Sequence, residues 1–381
     1  MANRAGCTVS HLSGELKYQS FSPTPLHKVK LAEMGSDFDA LLAKTNRLIG
    51  YIDGVSSGIP DIDLFILMYL RKEALLSSQI EGTQATLDDI LDPEVEENQN
   101  TNVSAVLNYI KAADYAIERL KTLPLCLRLL KETHKILLSG IRGNERSPGE
   151  FRRSQNWIGP VGSTLKTANY IPPSVNDMDI ALREFEEYLN IEDAAPDVLI
   201  RSALIHYQFE TIHPFLDGNG RMGRLLIILY LIQRQVLQKP VLYISYFLKL
   251  NRVDYYERLT AVRSSGNYEQ WVNFFIQALY QTADDALVAI KQLVALREKN
   301  RQKVASLGRS AKSTRRLFDY IEKSPIIDIG KTSGELQMPF TTVSRAVERL
   351  CQLGILRLTK TIKRNRCFAY EEYLAILRKD T

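Results

Sequence analysis

Two apolar helical stretches separated by a short polar break constrain this chain more than any other feature. VLIRSALIHYQFETI, residues 198–212, carries aliphatic and aromatic residues at helical spacing, and RLLIILYLIQRQVL, residues 224–237, is apolar nearly all round. A helix without a polar face belongs in the middle of a protein, wrapped by others. With 381 residues, 45% hydrophobic and 24% charged, the chain has the length and composition of an ordinary globular protein able to wrap it. The break, HPFLDGNGRMGR over residues 213–224, therefore sits between two core helices.

Each residue type in the break has a chemical reading. Gly218 and Gly220 let backbone N–H groups face inward with no Cβ in the way. The next helix starts near residue 220, and its N-terminus offers unpaired N–H groups and partial positive charge, a site for an anion and above all for phosphate. Arg221 and Arg224, three apart, add fixed positive charge to one face. Asp217 is a hard oxygen ligand, which in a phosphate site suggests Mg2+ shared with a nucleotide. His213 titrates near neutrality and stands where it can take a proton from an incoming hydroxyl.

The break resembles the signature of the Fic family, HPFx(D/E)GNGRxxR, and matches it at His213, Pro214, Phe215, Asp217, Gly218, Asn219, Gly220, Arg221 and Arg224. A second stretch, Ser77-Ser78-Gln79-Ile80-Glu81-Gly82, places Ser77 and Glu81 on one helical face. It resembles the (S/T)xxxE(G/N) inhibitory motif of many Fic proteins. The resemblance implies a Fic-type helical core with a small β-hairpin flap and a protein adenylyltransferase that moves AMP from ATP onto a Ser, Thr or Tyr hydroxyl of a target protein. It implies His213 as the base, Asp217 as the magnesium ligand, Asn219 and Arg221 on the phosphates, and Arg224 on the γ-phosphate. It also implies that Glu81, with Ser77 and Gly82, restrains the enzyme by pairing with Arg224. Nucleotide contacts are implied for the whole run Asp217, Gly218, Asn219, Gly220, Arg221, Met222, Gly223 and Arg224, for Thr167, Ala168, Asn169 and Tyr170 of the flap, and for Tyr255 or Tyr256 near the adenine. Removal of AMP, transfer of another phosphate-linked group, self-modification and a homodimer remain open on the same reading.

Composition narrows the setting. Cys7, Cys126, Cys351 and Cys367 are scattered, with no CxxC and no His cluster, which argues against a disulfide framework or a zinc site and for a reducing compartment. The longest apolar runs fall short of a membrane span, so the expected location is cytoplasmic and without a membrane partner. From residue 301 onward there are 17 Lys and Arg against 8 Asp and Glu, which places the basic excess in the tail.

Along the chain, residues 1–30 read as an extended arm, and 31–125 as a helical region carrying the inhibitory helix, with Asp61 as its N-cap. Residues 92–102 read as a mobile acidic loop. His134 reads as a half-buried structural histidine. The catalytic core is expected over 126–300, with the flap in 143–174, where glycines, prolines and short β-favouring runs interrupt the helices. GRSAKS, 308–313, reads as a linker. Residues 301–381 then resemble a winged helix-turn-helix, with Thr341, Thr342, Ser344 and Arg345 on its third helix and Lys360, Lys363, Arg364 and Arg366 on its wing. These would suit DNA or a docking protein equally. Gly330-Lys331-Thr332 is no P-loop, because Pro325 occupies the place of the first glycine.

Overall fold

The computed structural model describes residues 3–58, 62–92, 100–140, 146–192, 195–308, 311–362 and 365–378. It begins with a β-hairpin, β1 (Gly6–His11) and β2 (Tyr18–Pro23), paired antiparallel from Gly6 with Pro23 to His11 with Tyr18. The extended arm expected for 1–30 is thus folded back on itself. Polar alternation conceals the hairpin in the sequence, and Gly14, at φ 61, lies in the connection between its strands. Phe21 N–H donates to Ile171 O (3.0 Å), and Asn3 Nδ2–H donates to Arg263 O (3.0 Å), so the hairpin braces the middle of the chain.

Helices follow in order: α1 (Ser36–Gly58), α2 (Ile62–Ile80), α3 (Leu87–Leu91), α4 (Thr101–Arg119), α5 (Leu127–Leu137), α6 (Val175–Asn190), α7 (Val198–Ile212), α8 (Asn219–Gln233), α9 (Ser245–Leu250), α10 (Arg252–Ser265) and α11 (Tyr268–Ala305). The expected N-cap Asp61 and most of the acidic loop, 93–99, lie outside the described residues, as do 141–145 at the start of the expected flap. Helices α7 and α8 form the centre. From Leu199 to Ile212 every residue of α7 is buried, and so is nearly all of α8. Burial so complete demands partners for the few charges it includes. Arg201 donates to Tyr188 O (3.1 Å) and Ile191 O (2.9 Å) and lies over the Tyr188 ring.

The central helix stops before Leu237, where the apolar run ends. Gln235 adopts a left-handed φ of 55, and Val236 N–H turns back to Leu231 O (3.0 Å). This is a helix end usually made by glycine, which hides it from a reading of composition. Helix α11, about 57 Å long at 1.5 Å per residue, leads from this core to the tail. The tail comprises α12 (Ala311–Ile321), β3 (Ile326–Asp328), α13 (Ile329–Leu336), α14 (Phe340–Gln352), β4 (Arg357–Ile362), β5 (Asn365–Ala369) and α15 (Glu371–Arg378), its sheet antiparallel in the order β3-β5-β4. Residues 309–310 of the expected linker are outside the described residues, and α12 already begins at Ala311. Asp328 caps α13 by accepting from Lys331 N–H (2.9 Å), so the Gly330-Lys331-Thr332 run opens a capped helix of the tail. The four cysteines are free thiols, and among the described residues no helix is long and apolar enough to cross a membrane.

Candidate functional site

The loop between α7 and α8 is set by backbone geometry at its two ends. His213 leaves α7 in the left-handed region (φ 49, ψ 60), with its N–H still bonded to Phe209 O (2.9 Å). Pro214 forbids a further helical turn. A non-glycine residue in that conformation is strained unless its surroundings hold it. They do: His213 O accepts from Arg152 Nε–H (3.1 Å) and Asn156 Nδ2–H (3.1 Å), and Pro214 O accepts from Arg152 N–H (2.9 Å). At the other end Gly218, at φ 77, starts α8. Asn219 closes the loop, its Oδ1 accepting from Phe215 N–H (2.9 Å) and its Nδ2–H donating to Phe215 O (2.8 Å). His134 fastens it from α5. Gly149 N–H donates to His134 Nδ1 (2.9 Å), leaving Nε2–H to donate to Asp217 O (3.0 Å), while the ring stacks on Phe215 at 3.7 Å. His134 is therefore fully buried, not half-buried, and burial pushes its pKa down to about 4.

What the loop presents is an anion cradle with a carboxylate in it. The first intrahelical N–H acceptor of α8 is Gly218 O, bonded by Met222 N–H (3.0 Å), so the residues before Met222 form the open first turn. Glu81, just past the end of α2, lies against that turn: a Cβ on Gly220 would fall 2.1 Å from Glu81 Oε1. Arg224 binds Glu81 and the helix that carries it. Its Nη2–H donates to Glu81 Oε1 (2.7 Å) and to Ser77 O (2.9 Å), and its Nε–H to Ser77 Oγ (2.8 Å). Gly82, at φ 95, follows Glu81 in the turn that ends α2, its N–H bonded to Gln79 O (3.0 Å). Burial alone would raise the Glu81 carboxyl, but Arg224, with Arg221 and His213, carries it below the usual carboxylate range. The two partners differ: Arg224 is 1% exposed and Glu81 38%, so Glu81 can rehydrate on leaving and Arg224 cannot.

His213 is half-buried at the lip of this cradle. Burial, and then the Arg263 charge, push its imidazole down to about 4. Asp217 is exposed, its Oδ1 accepting from Gly218 N–H (2.6 Å) and lying 4.0 Å from Arg221 Nη2. Among the described residues no group of three or more His, Cys, Asp or Glu could hold a metal ion by itself.

Other expected site residues lie further from the cradle. Met222 is fully buried in the core, and Gly223 backs onto α7, where a Cβ would fall 2.4 Å from Glu210 Oε1. Neither points into the cradle, because helical periodicity turns positions 222 and 223 away from 220, 221 and 224. Tyr255 is a core residue whose hydroxyl bonds His206 Nε2 (2.9 Å), while Tyr256 beside it is 41% exposed. Of the two, only Tyr256 reaches the surface, where Arg252 lies 5.8 Å from its ring centroid. The expected hairpin flap is short among the described residues. Its single antiparallel bridge joins Ile158 and Tyr170, with turns at 160–163 and 164–167 between them, and Pro160, Pro172 and Pro173 prevent a longer ladder. Thr167 and Asn169 are exposed and Ala168 half-buried. Tyr170 is tied down by its hydroxyl on Thr211 O (2.7 Å) and by Arg263 stacked 3.9 Å from its ring.

Glu73 and Glu210 escape a reading of the sequence. Glu73 lies two turns before Glu81 on the same face of α2, buried, and Ser245 N–H (3.2 Å) and Tyr109 OH (3.4 Å) donate to it; burial pushes it up to about 7. The spacing Glu73, Ser77, Glu81 was the signal available for it.

The arrangement defines a helical protein that offers the N-terminus of a buried helix, two arginines and an imidazole to an anion. Two family models match it, Fic/DOC family N-terminal over residues 40–118 and Fic/DOC family over residues 124–231. Over these residues the chain carries the N-terminal and core domains of the Fic/DOC family. The protein adenylyltransferase Fic of Drosophila willistoni is 26% identical over 301 residues, 74% of this chain and 56% of that protein. Its counterpart from Culex quinquefasciatus is 32% identical over 199 residues, 52% of this chain and 35% of that protein. The chain thus spans about half or less of the curated relatives it matches. The crystal structure of a Fic family protein from Desulfovibrio desulfuricans G20 shares the fold, with a TM-score of 0.56 and 19% identity over 90% of this chain and 97% of that one.

Proposed function

We propose that the chain is a protein adenylyltransferase, held at rest by Glu81. The observation that carries the reading is the Glu81 carboxylate lying against Gly220 and bonded to Arg224, an anion where the reading needs phosphate. ATP takes that place, its phosphates on the first turn of α8, with Arg221 and Arg224 beside them. Asn219 acts by shaping the loop, since both directions of its amide are used on Phe215. Asp217, exposed and with one oxygen engaged by Gly218 N–H, would hold a magnesium ion, which would neutralise phosphate charge. The hydroxyl oxygen of a target protein attacks the α-phosphorus, the bond to the pyrophosphate oxygen breaks, and the hydroxyl proton passes to His213.

The target is received at the flap, where Trp157 and Val161 are exposed and Thr167 to Tyr170 line the approach to the nucleotide. The division into arm, inhibitory region, core and tail follows the boundaries 30, 125 and 300, and a cytoplasmic location is part of the same reading. For the tail, helices α12, α13 and α14 with the three-stranded antiparallel sheet support a winged-helix module. Thr341, Arg345 and Arg366 are exposed on it and Thr342 and Ser344 half-buried, whereas Lys363, Arg364 and the side chain of Lys360 lie outside the described residues.

The test is incubation with labelled ATP and lysate, followed by mass spectrometry of the labelled proteins. Glu81→Gly is expected to raise AMP incorporation at least tenfold, the gain of about 1.4 kcal/mol that a modest shift toward the open cradle supplies. His213→Ala in the same background is expected to abolish transfer while ATP still binds. Equal labelling of wild type and Glu81→Gly would refute the restraint, and transfer by the His213→Ala variant at its parent's rate would remove the imidazole from the chemistry.

A further inference from the structure

Glu210 lies three residues before His213 on α7, almost wholly buried, and its Oε2 stands 3.9 Å from His213 Nδ1. That is too long for a hydrogen bond. Yet His213 Nδ1 is enclosed without a well-formed hydrogen bond, with the Glu210 backbone carbonyl favouring a proton on the ring, and Glu210 Oε1, turned toward Gly223, is enclosed without a partner. A buried carboxylate oxygen left unpaired beside an enclosed imidazole nitrogen is rare in a native core and marks either strain or function. Room for this carboxylate is specific to the loop, because any Cβ at position 223 would collide with Glu210 Oε1 at 2.4 Å. The glycine in Arg221-Met222-Gly223-Arg224 therefore serves Glu210 and not the nucleotide.

We propose that Glu210 is the positioning residue of His213, receiving the Nδ1–H so that Nε2 faces the target hydroxyl and countering the charge of the imidazolium. This rests on the AMP-transfer reading of the site. As the hydroxyl oxygen bonds to phosphorus and the pyrophosphate oxygen leaves, the proton arrives at Nε2, and the ring becomes a cation with two N–H donors. Its Nδ1–H then has the Glu210 carboxylate as acceptor, a small rotation of the side chain closing 3.9 Å to bonding distance. The imidazolium later returns its proton to solvent.

The surrounding charges make such a partner necessary. Arg263 of α10, whose Nη2–H donates to Glu210 O (3.3 Å), and Arg152 from the segment before α6 both disfavour a positive ring at His213. Glu81 favours it, but by the proposed mechanism Glu81 is gone when ATP is bound. Arg224 of α8 and Arg263 favour an ionised Glu210, against burial and Glu81, which push its carboxyl up to about 7. Tyr255 closes the far side from α10, its phenol held by His206. With the nucleotide in place of Glu81, Glu210 is the remaining acid next to the ring.

The test has one arm that needs no activity. With 15N-labelled histidine, the resonances of His11, His27, His134, His206 and His213 are assigned by single His→Gln variants, and His213 is titrated in wild type and in Glu210→Gln. The expected result is a His213 titration displaced to lower pH by about one unit, the effect of removing a neighbouring carboxylate. Gly223→Ala, which pushes the carboxylate aside without removing it, should displace it in the same direction. An unchanged His213 titration in both variants overturns the proposal. In the second arm, on the Glu81→Gly background, Glu210→Gln should lower kcat about tenfold to a hundredfold, within the range of general-base effects, with KM for ATP held and the acid limb of the pH profile moved. An unchanged kcat, or a rise in KM alone, overturns it equally. If Glu81→Gly transfers nothing at all, AMP transfer itself is refuted, and the titration arm still decides the pairing.

Discussion

The loop at 213–218 and the flap at 157–171 face the same site and are built in opposite ways. Every turn of the loop is tied from outside. Arg152 and Asn156 hold His213 O, His134 holds Asp217 O, Asn219 brackets Phe215, and Phe215 itself is wholly buried. The flap is held by one bridge, by the Trp157 Nε1–H bond to Ser163 O (2.9 Å), and at its end by the anchored Tyr170 and the Phe21 N–H bond to Ile171 O (3.0 Å). Its crest, Val161, is fully exposed. On the proposed reading the loop places an imidazole against a phosphate and gains from rigidity, whereas the flap receives peptides and gains from unpaired backbone. The difference predicts that mutations in the loop act first on folding and mutations in the flap on recognition.

Asn219→Ala is the strongest challenge to that division. It leaves Phe215 N–H without its acceptor in a buried place and removes a donor from Phe215 O, so a loss of about 3 kcal/mol is expected from two buried hydrogen bonds. Chemical denaturation measures it, and a loss below about 1 kcal/mol, the value of a surface contact, would mean that the loop is not held by its own amide. A smaller effect is expected from His206, the buried cross-brace that donates Nδ1–H to Gly223 O (2.9 Å) and accepts from Tyr255 OH. Burial lowers its folded pKa to about 3, below the unfolded value, so the unfolded chain takes up the proton first. Its contribution is complete above pH 6.5 and is lost as pH falls toward 3, at up to about 1.4 kcal/mol per pH unit. Glu73 and Glu210, both raised to about 7, act in the opposite sense, with stability present below pH 4.5 and lost through pH 7. Comparison of wild type with His206→Gln cancels those two. The wild type should lose about 2 kcal/mol more than the variant between pH 6.5 and pH 5. Parallel curves would show that the ring is protonated in the fold.

The same contrast governs what the sequence reveals. Helices α7 and α8, and the loop between them, are legible because their chemistry is contiguous: apolar residues at helical spacing, then glycines, arginines and a histidine in fixed order. Ser77 and Glu81 are legible as one helical face, and the face is what Arg224 binds. Glu210 is contiguous with nothing, and Glu73 joins the motif only through its spacing from Ser77 and Glu81. Each is a glutamate in an apolar helix, the pattern that ordinarily marks a solvated position, and only packing against α8 or against Ser245 buries it. Arg152 belongs to a run that reads as flap, but it is 1% exposed and holds the loop. The N-terminal hairpin fails for a related reason, since strands of polar residues on a surface leave no apolar alternation to detect.

The smallest stability effect, and the sharpest separation of the two regions, is expected at Trp157. The ring is 42% exposed and its Nε1–H bonds an exposed loop carbonyl, Ser163 O, so Trp157→Ala should cost within about 1 kcal/mol, as at other surface positions. If the flap receives the target, the variant on the Glu81→Gly background keeps its affinity for ATP, because the first turn of α8 is untouched, and loses labelling of other proteins. Retained labelling at the parent rate would move the target away from the crest of the flap. A loss of ATP affinity would show instead that Trp157 supports the loop through the Ile158–Tyr170 bridge, and the two regions would then be one mechanical unit.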